Sequence, residues 1–352
     1  MSERWISELT RQGAEFSDGR VTTFAGGADA EVSALQNGAV LCDLSHFGLM
    51  LAAGDDAATF LHGQFCNDVL SLGEGALQWN GWCSPKGRLL VTFLAWPGKQ
   101  GIYMLPPRSL QPAIQKRLQM FVLRTKVKLT DESDSWIRFG IAGAKAEALL
   151  RDIAGTVPVD DMSTLHTDLG RIIRLSATRF IVVANADNAI DIWSRLATNA
   201  VKVGAPVWDW LSIQQGVITV LPETQDAFVP QMANFELIGG VSFKKGCYPG
   251  QEIVARTQYR GILKRRMVLA HLDAPTTPKP GDKLFSDAFG DQAAGEVANV
   301  AAAPGGGFDM LAVVQIGAIT DNNLKYAAPD GPAVIIKPLP YALPVTQPIS
   351  LG

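Results

Sequence analysis

Residues 243–256 read FKKGCYPGQEIVAR, a run of reactive side chains interrupted by glycine and proline. Two glycines and a proline this close together are typical of a turn or loop, not of a regular helix or strand. From Gln251 onward these breakers end, and the sequence favours the start of a helix. The chain is therefore expected to form a loop here that ends at a helix N-terminus, with Cys247 just before it.

Cys247 is the candidate reactive residue of this loop. Lys245 precedes it by two positions, and the backbone N–H groups of the expected helix follow it. An ammonium group and a helix N-terminus both favour a thiolate, and cysteines in such places have pKa values of about 3.5–7.5 instead of about 8.5. The alternative is a small, half-buried cysteine in a glycine-rich turn, since free cysteines are commonly buried.

Positive charge is concentrated around the same loop. Between Phe243 and Arg266 there are seven basic residues and one acidic residue, whereas the whole chain has a formal net charge of −3. A local basic surplus suits an anionic ligand such as a carboxylate-rich cofactor, or a contact with RNA. An isoelectric point near 5.9 argues against general nucleic-acid affinity, so direct nucleic-acid binding is not expected.

The remaining composition is that of an ordinary globular protein. The 352 residues are 47% hydrophobic and 18% charged, enough chain for two or three domains. The N-terminus lacks the apolar segment of a secretion signal, and no apolar run of about 18 residues exists, so a cytoplasmic protein without a membrane partner is expected. The four cysteines form no C-x-x-C pair and do not cluster with the four histidines, so no metal site or disulfide framework is expected.

Two stretches of the chain share one local pattern of strand, glycine turn and helix. In the first, an apolar strand leads through Gly54 to a helix over 57–64; in the second, a strand leads through Gly143 to a helix over 145–153. This weak internal duplication predicts two related α+β subdomains that face each other, with a boundary near residue 130.

From residue 262 the helical periodicity disappears. Short apolar runs separated by proline, glycine and aspartate indicate a small antiparallel β-barrel. The triple glycine at 305–307 lacks a strand–glycine–helix context, so we interpret it as a hairpin loop instead of a dinucleotide site. The predicted fold class is therefore α+β: two related subdomains within residues 1–261, followed by a β-barrel over 262–352.

Several of these segments resemble one known family. The sequence KGCYPGQE at 245–252 matches the K-G-C-Y-x-G-Q-E signature of the YgfZ-type folate-binding proteins, which are relatives of the glycine-cleavage T-protein, an aminomethyltransferase. Other segments that resemble the family lie at 41–48, 54–61, 67–69 and 228–234. The resemblance spans roughly residues 38–270.

The resemblance implies subdomains arranged around a central channel that holds tetrahydrofolate. It also implies a role in making or repairing iron–sulfur enzymes, with effects on tRNA modification, so the expected partners are folate and iron–sulfur enzymes or cluster-assembly proteins. In this interpretation Cys247 and Lys245 form the reactive pair. The candidate folate-binding residues are Asp43, Asn234, Tyr248, Gln251, Glu252 and Arg256.

Two of these candidates have simpler interpretations, which stay open at the level of sequence. Asn234 could hydrogen-bond the pterin, but it fits an Asx-turn equally well. Asp43 and His46 lie where a strand begins, and they fit a satisfied pair in a turn. Trp79, Trp82 and Trp96 fall on predicted strands, where a tryptophan more often lines a core or channel wall than stacks on a ligand.

The chain departs from the T-protein in one respect. After its first hairpin the T-protein carries a pair of aspartates, one of them essential for aminomethyl transfer, whereas this chain has Leu90, Val91 and Thr92 there. Without an acid or base beside the folate, proton transfer loses its agent, so the T-protein reaction is not expected. The alternatives are a non-catalytic folate-binding scaffold, or a one-carbon transferase that uses another carboxylate. The candidates for that carboxylate are Asp43, Asp68, Glu223 and Glu252.

Overall fold

The computed structural model describes residues 2–24, 31, 34–36, 38–261 and 263–344. The helices are α1 (Glu3–Arg11), α2 (Ala57–Gln64), α3 (Gln111–Gln119), α4 (Ala146–Ala154), α5 (Ala186–Leu196), α6 (Ala205–Gln214), α7 (Gln251–Tyr259) and α8 (Ile316–Asp321). None of these helices is both long and apolar enough to span a membrane.

The strands form an N-terminal hairpin, two mixed α+β layers and a barrel. The hairpin is β1 (Glu15–Ser17) and β2 (Arg20–Thr23). The strands of the two layers are β3 (Val40–Asp43), β4 (Met50–Ala53), β5 (Gln78–Cys83), β6 (Leu89–Gly98), β7 (Gly101–Leu105), β8 (Lys128–Asp131), β9 (Ile137–Ala142), β10 (Ser163–Thr167), β11 (Gly170–Ser176), β12 (Arg179–Ala184) and β13 (Val201–Val203). The barrel strands are β14 (Arg265–Leu272), β15 (Lys283–Ser286), β16 (Gly295–Ala302), β17 (Phe308–Gln315), β18 (Leu324–Tyr326) and β19 (Ala333–Lys337).

The two layers repeat one topology. The five-stranded sheet has the order β5-β6-β7-β4-β8, and the six-stranded sheet has the order β10-β11-β12-β9-β3 followed by β13. In each, a three-stranded meander is followed by the strand that precedes it in sequence and then by one flanking strand. The predicted duplication of α+β subdomains is thus confirmed in the fold.

The flanking strands are exchanged between the two layers. β3 comes directly before β4 in the chain but pairs with β9 of the six-stranded sheet. β8 comes directly before β9 but pairs with β4 of the five-stranded sheet. The chain therefore crosses between the layers twice. The domain limits near residues 130 and 261 stay predictions. A cut near 130 would fall within β8 and would separate β3 from the other strands of the six-stranded sheet.

Two glycines at equivalent positions end the first strand of each repeat. Gly54 after β4 has φ +114°, and Gly143 after β9 has φ +115°. A Cβ at Gly54 would lie 2.0 Å from the Lys126 carbonyl oxygen, and one at Gly143 would lie 2.4 Å from the Gly38 carbonyl oxygen. Glycine is required at both turns because the backbone is left-handed and another chain segment passes too close for a side chain.

The barrel closes in the order β14-β17-β16-β15-β18-β19, which confirms the predicted C-terminal architecture and adds β18, a strand that the sequence patterns did not indicate. Met267 and Leu311 of the barrel belong to the same buried cluster as the core of the five-stranded sheet. Helix α6 was also not predicted. It contacts β2, β3, β16 and β17, so it joins the N-terminal hairpin, the six-stranded sheet and the barrel.

Candidate functional site

The segment that carries the cysteine signature, residues 243–250, is called the signature loop here. It ends at Gly250, the N-cap of α7, so the helix expected from Gln251 is confirmed. Gly250 has φ +81°, and a Cβ there would lie 2.3 Å from the Ser84 carbonyl oxygen and 2.7 Å from Gly87 Cα. The signature loop therefore packs backbone against backbone on the turn that joins β5 to β6.

Lys245 anchors the signature loop to helix α2. Its side chain is buried, and Nζ donates hydrogen bonds to the backbone carbonyls of His62 and Phe65, the latter at 2.7 Å. Nζ also lies 4.7 Å from the ring centroid of Tyr248. Because burial disfavours its charged form, the pKa of Lys245 is lowered to about 8. The ammonium group satisfies carbonyls at the C-terminal end of α2, a favourable place for a cation.

Cys247 is the exposed one of the four cysteines. The other three are buried, and burial raises the pKa of the Cys42 thiol well above its usual value. Gln251 Nε2 donates to the Gly246 carbonyl at 3.3 Å, which ties the first residue of α7 to the signature loop. The geometry therefore presents this thiol to solvent on a loop held at both ends.

The other predicted site residues near Cys247 have different environments. The Tyr248 phenol is buried, which raises its pKa. Glu252 and Arg256 are exposed on α7, and Gln251 is half-buried. None of these four lines the central cavity described next, so their proposed contact with folate stays a prediction.

The central cavity has a volume of about 580 Å³ and lies where the N-terminal hairpin, helix α6 and the barrel meet. Its walls come from the N-terminal hairpin, α6, the segment 217–223 and strand β16. Asn299 of β16 fixes this junction, because its side chain accepts from Thr219 N at 2.9 Å and donates to Thr219 O at 2.8 Å. Arg20 and Arg108 bring positive charge to the wall, although Arg20 pairs with Asp209 and Arg108 with Asp131.

A small inner recess of about 30 Å³ shares part of the cavity wall and extends between the two sheets. Trp79, Trp208 and Arg179 line it. The Arg179 guanidinium carbon is 4.0 Å from the Trp208 ring centroid, and Nη2 donates to Ser212 Oγ at 2.7 Å. Burial lowers the pKa of Arg179 to about 9, so it is still a cation at neutral pH. The recess thus combines two indole rings with one buried positive charge.

Thr92 occupies the part of β6 where the T-protein pattern would place acidic residues. Its hydroxyl donates to Ile218 O at 3.1 Å and accepts from Val220 N at 3.1 Å. This side chain ties β6 to the neighbouring segment. No carboxylate is found among the described residues that line the recess. The expected lack of an acid or base at this position is therefore visible in three dimensions.

His46 is a cavity residue whose role the sequence did not reveal. Its imidazole has no hydrogen-bond partner among the described residues, and Nε2 lies 3.8 Å from Asp209 Oδ1. Burial lowers its pKa to about 4, so the ring is neutral at neutral pH. Asp43, its expected turn partner, instead accepts from Trp5 Nε1 and Ser45 Oγ, each at 2.7 Å.

Asn234 is engaged inside the protein. It is fully buried with φ +54°; its amide donates to Met267 O at 2.9 Å and its oxygen accepts from Arg266. Of the four carboxylates considered from sequence, Glu223 lines the central cavity and the others do not. A cavity contact by Asn234 or Asp43 therefore stays a prediction, while the structure adds His46, Arg179 and Trp208.

The sequence comparisons agree with this architecture. Residues 10–170 match the family described as the GCVT N-terminal domain. The chain is 31% identical over 244 residues to the tRNA-modifying protein YgfZ of Hamiltonella defensa, an alignment that covers 68% of this chain and 72% of that protein. The chain belongs to the YgfZ family. The tRNA-modifying protein YgfZ of Enterobacter sp. (strain 638) is 27% identical over 305 residues, and this alignment covers 93% of that protein and 86% of this chain.

A solved structure shares its fold with almost the whole chain. The glycine cleavage system aminomethyltransferase T from Bartonella henselae superposes with a TM-score of 0.81 at 16% sequence identity, covering 96% of each chain. At this identity the likeness shows a shared fold. The family resemblance and the α+β fold class expected from the sequence are thus both confirmed.

Proposed function

We propose that this YgfZ-family protein binds a reduced folate in the central cavity. Members of the glycine-cleavage T-protein family bind tetrahydrofolate, and a cavity of about 580 Å³ falls within the roughly 300–1,000 Å³ usual for such ligands. The half-buried Trp79 indole lines the adjoining recess and offers an aromatic edge to a pteridine at its mouth, and the buried Arg179 cation lies behind it against Trp208. Arg20 and Arg108 line the cavity but not the recess, and the glutamate carboxylates of a folate could meet them there.

The proposed role is that of an accessory protein for assembly or repair of iron–sulfur enzymes, with effects on tRNA modification. The observation that carries it is the separation of the two candidate sites: the Cys247 thiol is exposed, and Cys247 is not among the residues that line the central cavity. A thiol in this position can react with a macromolecular partner without access to the bound folate. The name of the relatives, tRNA-modifying protein, supports the tRNA aspect.

Folate binding is tested by titration with tetrahydrofolate or 5-formyltetrahydrofolate, followed by intrinsic tryptophan fluorescence. Val217 lines both the cavity and the recess, so Val217→Phe should obstruct the passage between them and weaken binding at least tenfold. Val201→Phe, at an exposed position of β13, is the matched control and should bind like the wild type. Added salt should weaken binding if the carboxylates meet arginine.

Two results would contradict folate binding: no saturable signal at millimolar folate, or equal affinity in both phenylalanine variants. The folding of Val217→Phe is checked by circular dichroism, since overpacking a buried site typically costs about 1–3 kcal/mol.

The accessory role is tested in a strain that lacks the gene, by measuring growth and iron–sulfur enzyme activity. Wild type should restore both, and Cys247→Ala should not. The neighbouring variant Gly246→Ala is the control, because a Cβ there meets nothing closer than His62 Nε2 at 3.6 Å. If Cys247→Ala restores activity fully, the thiol is dispensable and the folate-binding scaffold becomes the preferred function.

A further inference from the structure

A second cavity, distinct from the central one, opens between the β6–β7 hairpin and strands β10 and β11. Its volume is about 160 Å³, and it shares no lining residue with the central cavity or its recess. Its lining is unusually rich in rings and cations: Trp96, Tyr103, Trp136, His166, Lys99 and Arg171. We call it the aromatic pocket.

The hairpin sets the geometry of the aromatic pocket. The rings of Trp96 and Tyr103 are stacked, with centroids 5.9 Å apart and planes inclined by 10°. A Cβ at Gly98 would lie 2.6 Å from Tyr103 Cε2, so the ring rests against backbone that carries no side chain. The Trp136 indole N–H has no hydrogen-bond acceptor among the described residues. Trp96 is itself buried, so the half-buried rings of Tyr103 and Trp136 are the flat surfaces that the pocket offers to a ligand.

Arg171 supplies positive charge at the same place. Its Nη1 donates to Thr164 Oγ1 at 2.9 Å, and within the described ranges it forms no ion pair. Glu74 attracts the guanidinium from a longer distance and Lys99 is exposed beside the pocket. Arginine stays protonated at neutral pH, so the pocket holds a half-buried cation with no bound counter-charge.

We propose that the aromatic pocket binds a nucleoside phosphate, with the base against the half-buried rings of Tyr103 and Trp136 and the phosphate at Arg171 and Lys99. Base stacking on aromatic side chains combined with contacts between cations and the backbone is the usual means of holding unpaired nucleotides. The volume suits a single base better than a whole folate, for which the central cavity is more than three times as large. Both a free nucleotide and an unpaired base of an RNA strand have this chemistry.

Calorimetric titration of the full-length protein at low salt tests the proposal, with AMP, CMP, GMP and UMP in one arm and a short single-stranded oligoribonucleotide in the other. Trp136→Ala should weaken binding by about 5- to 100-fold, the range for loss of one base stack. Arg171→Gln should also weaken it and should lower the salt dependence. The control Arg195→Gln removes an exposed cation of α5 that lies outside the pocket, and it should change neither property.

Saturable binding of a mononucleotide supports a free nucleotide as the ligand, and binding of the oligoribonucleotide alone supports an RNA strand. Absence of both at millimolar ligand, or affinity unchanged in Trp136→Ala, overturns the proposal. Titration of the same variant with reduced folate separates the two sites. If Trp136→Ala weakens folate binding as much as nucleotide binding, the aromatic pocket belongs to the folate channel and the proposal fails.

Discussion

Replacement of Gly250 by alanine should strongly destabilise the attachment of the signature loop. Gly250 has φ +81°, a left-handed conformation that costs an L-residue about 1–2 kcal/mol. The new Cβ would in addition lie 2.3 Å from the Ser84 carbonyl oxygen, so the backbone must move apart. Overpacking of this kind typically costs about 1–3 kcal/mol, which gives a total of about 3 kcal/mol for Gly250→Ala.

Two other glycines separate these contributions. Gly239 has φ +74° but no atom within 4 Å of an added Cβ, so Gly239→Ala should cost only the backbone term, about 1–2 kcal/mol. Gly246 is not among the residues with positive φ, and its nearest neighbour would lie 3.6 Å away, so Gly246→Ala should change stability by less than about 0.5 kcal/mol.

The assay is native-state alkylation of Cys83, a buried residue at the end of β5 next to the turn on which Gly250 packs. Its labelling requires local opening, and a loss of about 3 kcal/mol in the opening free energy corresponds to roughly 100-fold faster labelling. Denaturant unfolding of each variant measures the global effect alongside. The reasoning is refuted if Gly250→Ala labels no faster than Gly239→Ala, since the close backbone contact would then carry no energy.

Three further predictions concern protons, the thiol and catalysis. Because the pKa of His46 is about 4 in the folded protein against an ordinary 6.5, the unfolded chain binds more protons between these values, so the free energy of unfolding should decrease as the pH is lowered from about 6.5 to about 4. Denaturant unfolding at several pH values should show a smaller decrease in the free energy of unfolding for His46→Gln than for the wild type, by up to about 1.4 kcal/mol per pH unit. Equal pH dependence in the two proteins would contradict this prediction. In mass-resolved alkylation at neutral pH, Cys247 should react faster than the three buried cysteines, and Lys245→Ala should slow it because the ammonium charge is lost; if Cys247 is the slowest, its role is structural. Purified protein should form no methylene-tetrahydrofolate from an aminomethyl donor, because Thr92 stands where an acid is needed, and turnover near about 1 per second would refute this.

Much of the local structure is determined by the sequence. The breakers in the signature loop and the start of α7 at Gln251 follow from residues within one or two turns of the chain. The repeated strand–glycine–helix pattern likewise predicts the turns at Gly54 and Gly143, which adopt nearly the same φ in both layers. These features are readable because left-handed turns and helix starts depend on a few neighbouring residues.

Which strands pair in each sheet, and which groups a side chain contacts, was decided only by the tertiary structure. The sequence cannot show that β3 and β8 exchange sheets, because an apolar strand fits either sheet and the choice depends on packing over long distances. For the same reason, the sequence could not show that the Lys245 amine donates to the carbonyls of His62 and Phe65, and its action on the Cys247 thiol stays a prediction. The central cavity brings together residues from segments far apart in the chain. A residue such as His46 therefore acquires its buried environment, and its lowered pKa, only when these distant segments pack around it.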